Sequence, residues 1–186
     1  MAGWIADLAV ILGAVAAMEL VAALVHRHVM HGRLGWGLHR DHHEPDGHAL
    51  ERNDLYAVGL GAVVTLLFVA GNWFWPLTQL AIGATLYGVL YFVVHDGLVH
   101  QRWPFRHVPR RGYLRRLYQA HLLHHATHGR EGAVSFGFLY APPVRRLKEE
   151  LAARRQESDR ADAGEAAPLS RDATTAPPGA DGAARV

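Results

Sequence analysis

The chain alternates between long apolar runs and short polar blocks crowded with histidine. Residues 4–25, WIADLAVILGAVAAMELVAALV, carry charge only at Asp7 and Glu19. At about 1.5 Å per residue, such a run crosses a hydrocarbon core of about 30 Å, so the pattern predicts a transmembrane helix. A cleaved signal peptide would start with basic residues and end at a small-residue cleavage site, whereas this run has no basic start and leads straight into His26, Arg27 and His28. Residues 55–71 and 77–94 are likewise apolar and uncharged. Between them, Gly71-Asn72-Trp73-Phe74-Trp75-Pro76 supplies turn residues and an interfacial aromatic cluster. The expected architecture is an all-α integral membrane protein with about three to four transmembrane helices. The 55–71 run is short for a full span, and a buried half-span or re-entrant hairpin is the alternative there. One membrane-embedded domain is expected over residues 1–150. Residues 151–186 read as a polar tail, disordered from 156 onward, because large apolar side chains become scarce and the chain ends TTAPPGADGAARV.

Charge placement sets the orientation. All 19 Lys and Arg residues lie between 27 and 52 or from 102 onward, and neither the N-terminus nor the 71–76 turn has any. With three spans, the positive-inside rule places both histidine-rich blocks and the C-terminus on the cytoplasmic face. The formal charge of +2 is then a matter of membrane orientation, and nucleic acid is not an expected partner. A length of 186 residues suits a single functional unit. The absence of cysteine excludes disulfides, thiolate metal sites and cysteine-bound iron–sulfur clusters. Gly59-Leu60-Gly61 runs on into Ala62-Val63-Val64 inside a span, so it is not a nucleotide-binding loop.

Histidine is left as the carrier of chemistry. There are 14, none before His26 or after His128 and none between His48 and His95. Ten form a doubled pattern: His26 with His31, His39 with His42 and His43, His95 with His100, and His121 with His124 and His125. On a helix, residues three and four apart share a face, so each HxxHH set is predicted to aim three imidazoles at one point. Five residues overshoot a helical turn by about 140°, so the members of each HxxxxH pair face different metals or the helix is distorted between them. Imidazole suits iron, zinc, copper and nickel, and ligand type alone does not choose among them. His28, His48, His107 and His128 lie outside the pattern, although His28 is a possible substitute for His26. Glu19, seven residues before His26 on the same helix face, is a candidate to orient an imidazole. Asp54 and Asp96, with Asp41, Glu44 and Glu51, are candidates to accept imidazole N–H bonds. A metal-binding or transport protein without oxygen chemistry is the distant alternative, and it is disfavoured because the histidines follow the spans and trace no path through the membrane.

The words around the histidines narrow the choice. MELVAALVHRHVMHG, GWGLHRDHHEP, ERNDLYAV, LYFVVHDGLVHQRWPF, RRGYLRRLYQAHLLHHA and EGAVSFGFLYAPP resemble the bacterial β-carotene hydroxylases across most of residues 18–143. The bare histidine pattern is shared with the wider membrane fatty acid hydroxylase and desaturase superfamily, so a fatty acid or sterol hydroxylase or a desaturase is the nearer alternative. The resemblance implies a non-heme monooxygenase with two Fe, using O2 and electrons from reduced ferredoxin. Its substrate would be a carotenoid taken from the bilayer, with β-carotene converted through β-cryptoxanthin to zeaxanthin and canthaxanthin to astaxanthin. It also implies His26, His31, His39, His42, His43, His95, His100, His121, His124 and His125 as ligands, at the cytoplasmic face of a bacterial inner membrane. Arg102, Arg106, Arg110, Arg111, Arg115 and Arg116 are expected either to receive an acidic electron donor or to rest on anionic membrane lipids.

Overall fold

The computed structural model describes residues 2–44, 50–104, 106–127 and 129–165. Its elements are helices α1 (Ala2–Val25), α2 (Trp36–His43), α3 (Asp54–Ala70), α4 (Leu77–Tyr91), α5 (Gly112–His124) and α6 (Val144–Glu165). Two of them continue as wider π-helical segments, α1 into His26–Met30 and α4 into Phe92–Val99. No strand occurs among the described residues. The stretches Gly3–Met30 and Leu77–Val99 are long and apolar enough to cross a membrane, and α3 is a shorter apolar helix.

These three helices pack through small residues. α4 lies between α1 and α3, and its contact face carries the buried Ala81, Gly83 and Ala84, with Ala14 of α1 opposite. A Cβ on Gly83 would sit 2.5 Å from the Ala14 Cβ and 2.7 Å from the Ile11 carbonyl oxygen, so the helices cross where glycine lets the backbones meet. Large side chains such as Leu8, Leu12, Leu20, Leu66 and Leu90 point outward. Among lipid tails, burying leucine against leucine gains little, and close backbone packing of small residues holds helices together.

The charge near the start of α1 has a partner. Asp7 Oδ1 accepts hydrogen bonds from Trp75 Nε1 at 2.9 Å and Gln79 Nε2 at 2.7 Å. This fixes the α3–α4 turn beside the first turns of α1, so α1 and α4 run in the same direction and His26 and His95 emerge at the same end.

At that end lies a second, smaller core of Leu117, Ala120, Val134, Ala141, Leu147 and Leu151, which joins α5, α6 and the 133–141 loop. α6 corrects the expected tail, because it carries helix through residues 156–165. Leu147 and Leu151 dock one face of it, the Arg154–Glu150 pair flanks that face, and the Arg145–Glu149 pair lies on the exposed side, each pair spanning one turn. Arg155 also donates to the Ala126 carbonyl at 2.9 Å. Residues 166–186 of the expected tail lie outside the described residues.

Replacing Gly83 with Val is expected to overpack the α1–α4 crossing and cost about 1–3 kcal/mol. The check is thermal stability of the detergent-purified protein. Gly88→Ala should be tolerated, since a Cβ there meets only Leu60 at an ordinary 3.9 Å.

Candidate metal centre

The π-helical segments explain the five-residue spacing. A π-helix closes its hydrogen bond from residue i+5 to residue i, which puts i and i+5 on one face. His31 N–H donates to the His26 carbonyl at 3.0 Å, and His100 N–H to the His95 carbonyl at 2.9 Å. The distorted-helix alternative is therefore the one realised: His26 and His31 stand side by side, and so do His95 and His100.

The ten patterned imidazoles converge. In one group, His26, His31, His39, His43 and His124 bring one ring nitrogen each within 4.8 Å of one another. In the other, His42, His100, His121 and His125 do the same. His95 borders the second group, its ring 4.5 Å from His100, 4.7 Å from His121 and 4.9 Å from His42. The groups touch where His43 stacks on His125 at 4.3 Å.

This division corrects the expectation that each HxxHH set serves one point. His39 and His43 go to the first group and His42 to the second, while His121 and His125 go to the second and His124 to the first. The reason is helical: residues four apart share a face, but adjacent residues diverge by about 100°. Each HH pair thus reaches into both groups.

The imidazoles are tied from behind. Nδ1 of His26 donates to the Phe136 carbonyl at 3.0 Å, of His31 to the Arg130 carbonyl at 2.8 Å, of His43 to the Thr127 carbonyl at 3.2 Å and of His124 to the Val134 carbonyl at 3.0 Å. His39 Nδ1 donates to Asn53 Oδ1 at 2.7 Å, His42 Nδ1 to Glu51 Oε2 at 2.7 Å and His95 Nδ1 to Asp96 Oδ1 at 2.7 Å. With the proton on Nδ1, each Nε2 turns a lone pair inward. The inward contacts, His26 to His39 at 3.1 Å and His31 to His124 at 3.2 Å, then join two acceptors. Such contacts repel unless a cation lies between them. Nε2 of His42 and of His43 is buried without a hydrogen-bond partner, which fits the same requirement. A pair of metal ions suits this donor set.

Burial keeps the rings neutral, which is the ligating form. It pushes His39, His43 and His100 from 6.5 down to about 3 and His42 down to about 4. His31, His121, His124 and His125 move the same way, for the same first reason, with neighbouring imidazoles reinforcing the shift in the last three.

The candidate carboxylates have unequal fates. Glu19 touches no imidazole among the described contacts. Instead, its carboxylate accepts the backbone N–H groups of Phe138, Leu139 and Tyr140 at 2.9–3.1 Å and the Tyr87 hydroxyl at 2.8 Å. The 136–140 loop is thereby strapped to α1, and glycine suits position 137 because a Cβ there would lie 2.8 Å from the Tyr140 carbonyl oxygen as well as 2.6 Å from Glu19 Oε1. Glu19 reaches the site through that loop, whose Phe136 carbonyl receives His26. Asp54 also stands one step back, gripping Arg102 through both carboxylate oxygens at 2.8 and 2.9 Å. Asp96 meets His95 directly and lies 3.6 Å from Arg102. Asp41 accepts the Arg52 N–H, and Glu44 lies 4.0 Å from Arg40.

Arg102 is consequently committed to Asp54, which raises its pKa, and it is less suited to docking than its neighbours Arg106, Arg110, Arg111 and Arg115, which are exposed. His28 and His107 are exposed and away from the groups. His48 and His128 lie outside the described residues. Sequence reasoning missed Asn53 and the four carbonyls. Asn53 was within reach, in the polar ERND block that leads into α3, but backbone partners leave no mark in residue identity.

The fatty acid hydroxylase family matches residues 11–142. The chain is similar to a protein named β-carotene hydroxylase from Paracoccus sp. strain PC1, 59% identical over 143 residues that cover 76% of this chain and 88% of that one. It is similar to a second of that name from Pantoea ananas, 54% identical over 149 residues covering 80% and 85%. A chloroplastic β-carotene 3-hydroxylase 2 of Arabidopsis thaliana is 35% identical over 145 residues, 70% of this chain and 44% of the plant protein. No solved structure matches the chain.

The protonation states imply a pH dependence. From 6.5 down to about 4 for His42 and about 3 for His39, His43 and His100, the unfolded chain binds protons that the folded chain refuses, so stability is retained above 6.5 and falls as pH drops through that window. The metal-free protein should therefore melt at a lower temperature at pH 5 than at pH 7.5. Bound metal, measured by elemental analysis, should be released across the same range, because protons compete for Nε2.

Proposed function

The chain belongs to the fatty acid hydroxylase family, and from that premise we propose that it is a carotenoid ring 3-hydroxylase that converts β-carotene to zeaxanthin with two irons, O2 and electrons from reduced ferredoxin. The observation that carries the reading is the convergence of the ten patterned imidazoles, in a chain otherwise similar to enzymes named for β-carotene hydroxylation. We assign all ten as ligands, with His95 completing the second group.

A carotenoid ring is hydrocarbon and offers no acid, base or leaving group to polar catalysis. Two irons, when bound, supply the O2-activating oxidant that its C–H bond requires. What the chain contributes is placement. His26 and His95 leave α1 and α4 at the end of the apolar spans, where a substrate dissolved in lipid arrives from the side. Phe138 stacks on His26 with ring centroids 5.0 Å apart, Tyr91 stacks on His95 at 4.5 Å, and the two aromatics meet at 4.7 Å. This layer keeps water from the imidazoles and offers an apolar face to the ring. Glu19, by holding the 138–140 backbone, holds Phe138 in that layer.

In this reading the electrons come from a separate donor. The exposed Arg106, Arg110, Arg111 and Arg115 suit an acidic ferredoxin or anionic lipid headgroups. The distribution of Lys and Arg supports a multi-pass placement in the bacterial inner membrane, with the metal centre and C-terminus cytoplasmic.

Expression in cells that accumulate β-carotene should yield β-cryptoxanthin and zeaxanthin on pigment analysis. Unchanged carotene beside newly hydroxylated fatty acids or sterols would favour the neighbouring activity of the same family. Alanine at any of the ten patterned histidines should lower ring hydroxylation by more than the 10–100-fold typical of losing an outer partner of a metal ligand. His28→Ala and His107→Ala, at matched membrane expression, should keep most activity. Loss with His107→Ala would show the division into ligands and bystanders to be misplaced. A C-terminal reporter active only in the periplasm would overturn the orientation.

A further inference from the structure

The seven hydrogen bonds behind the imidazoles are not distributed evenly. In the first group every ring leans on an uncharged acceptor: His26, His31, His43 and His124 on backbone carbonyls and His39 on the Asn53 amide. On the other side, His42 leans on the Glu51 carboxylate and His95 on the Asp96 carboxylate. Neither acid is incidental. Asp54 accepts the Glu51 backbone N–H at 3.1 Å and grips Arg102, whose own backbone N–H donates to the Asp96 carbonyl at 2.9 Å. Among the described residues, three carboxylates and one guanidinium thus back the second group, whereas the loop behind the first carries one charge of each sign, the Arg27 guanidinium over Phe136 at 5.6 Å from its centroid and the Glu19 carboxylate on the 138–140 N–H groups.

A carboxylate that accepts the Nδ1 proton raises the basicity of Nε2, while a neutral carbonyl does so less. The local field acts in the same direction, since net negative charge beside an ion favours both its retention and its higher oxidation state.

Resting on the di-metal reading above, we infer that the two metal positions are electronically unequal. The position built on His42, His95, His100, His121 and His125 holds its ion more tightly and reaches the ferric state first, with Glu51 and Asp96 as positioning residues that create the difference. The position built on His26, His31, His39, His43 and His124 is the weaker donor set and releases its ion first.

The test uses the detergent-purified full chain loaded with iron-57. Mössbauer spectra of the fully reduced wild type should show two quadrupole doublets. Challenge with a chelator should remove iron in two kinetic phases. Glu51→Gln and Asp96→Asn keep an oxygen acceptor but remove its charge. Each should alter one doublet only and accelerate the slow phase by about 10–100-fold. Asn53→Asp, the converse change, should alter the other doublet and slow the fast phase. Partial oxidation of the wild type should convert the doublet sensitive to Glu51 before its neighbour.

Should Glu51→Gln fail to accumulate, Asp96→Asn and Asn53→Asp carry the comparison. Two irons lost in a single phase, or both doublets responding equally to Glu51→Gln and Asp96→Asn, would overturn the inequality and leave the di-metal reading standing. A wild type holding fewer than two irons would overturn both, and the fault would lie with that reading.

Discussion

Everything in this structure answers to one electrostatic constraint: neutral imidazole lone pairs held against one another in a space without water. Nitrogen acceptors about 3 Å apart repel, and burial forbids them the protons that would relieve the repulsion. A cation between them would resolve the arrangement, and the two groups could each hold one. The chain therefore holds the rings from behind, through Nδ1 bonds to carbonyls, an amide and two carboxylates, so that the inward direction is fixed before any ion arrives. The elements that carry the rings are packed between the α5–α6 core on one side and the apolar helices on the other.

Holding the rings requires chain segments far apart in sequence to close around the same point. The Glu19 carboxylate does much of this, because it binds three consecutive N–H groups of a loop some 120 residues away, and that loop returns a carbonyl to His26 on the same helix. The Asp54–Arg102 pair closes the other side in the same manner. A charge inside an apolar span is costly unless it is paired. Glu19 meets this cost with backbone donors, and Asp7 at the opposite end meets it with Trp75 and Gln79.

The histidine groups and the apolar spans share one boundary. The apolar spans end in the π-helical segments that carry His26 and His95 and lead directly into His31 and His100, and Phe138 stacks on His26 while Tyr91 stacks on His95. Widening the helix at its last turn is an economical way to place two ligands, five residues apart, on one face without ending the helix. It also keeps the backbone hydrogen-bonded close to lipid, where an unpaired amide is costly.

Much of this was legible in the sequence. Apolar runs marked the spans because crossing a bilayer demands length and hydropathy whatever the tertiary context. The histidine spacing marked clusters able to hold metal ions because ligands must recur at helical intervals, and the words around it marked the family. Other features were decided only in three dimensions. Adjacent His42 and His43 part company, as do His124 and His125, because about 100° of helical rotation separates neighbours, and which group each joins depends on the helix opposite. Whether His26 and His31 share a group turned on a π-helical widening that residue identities do not announce. Glu19 proved to hold a loop rather than a ring, and four of the acceptors behind the imidazoles are carbonyls, which every residue carries alike. Sequence specifies side chains and their period along the chain, whereas backbone partners and the choice between two neighbouring histidine groups arise from how the helices meet.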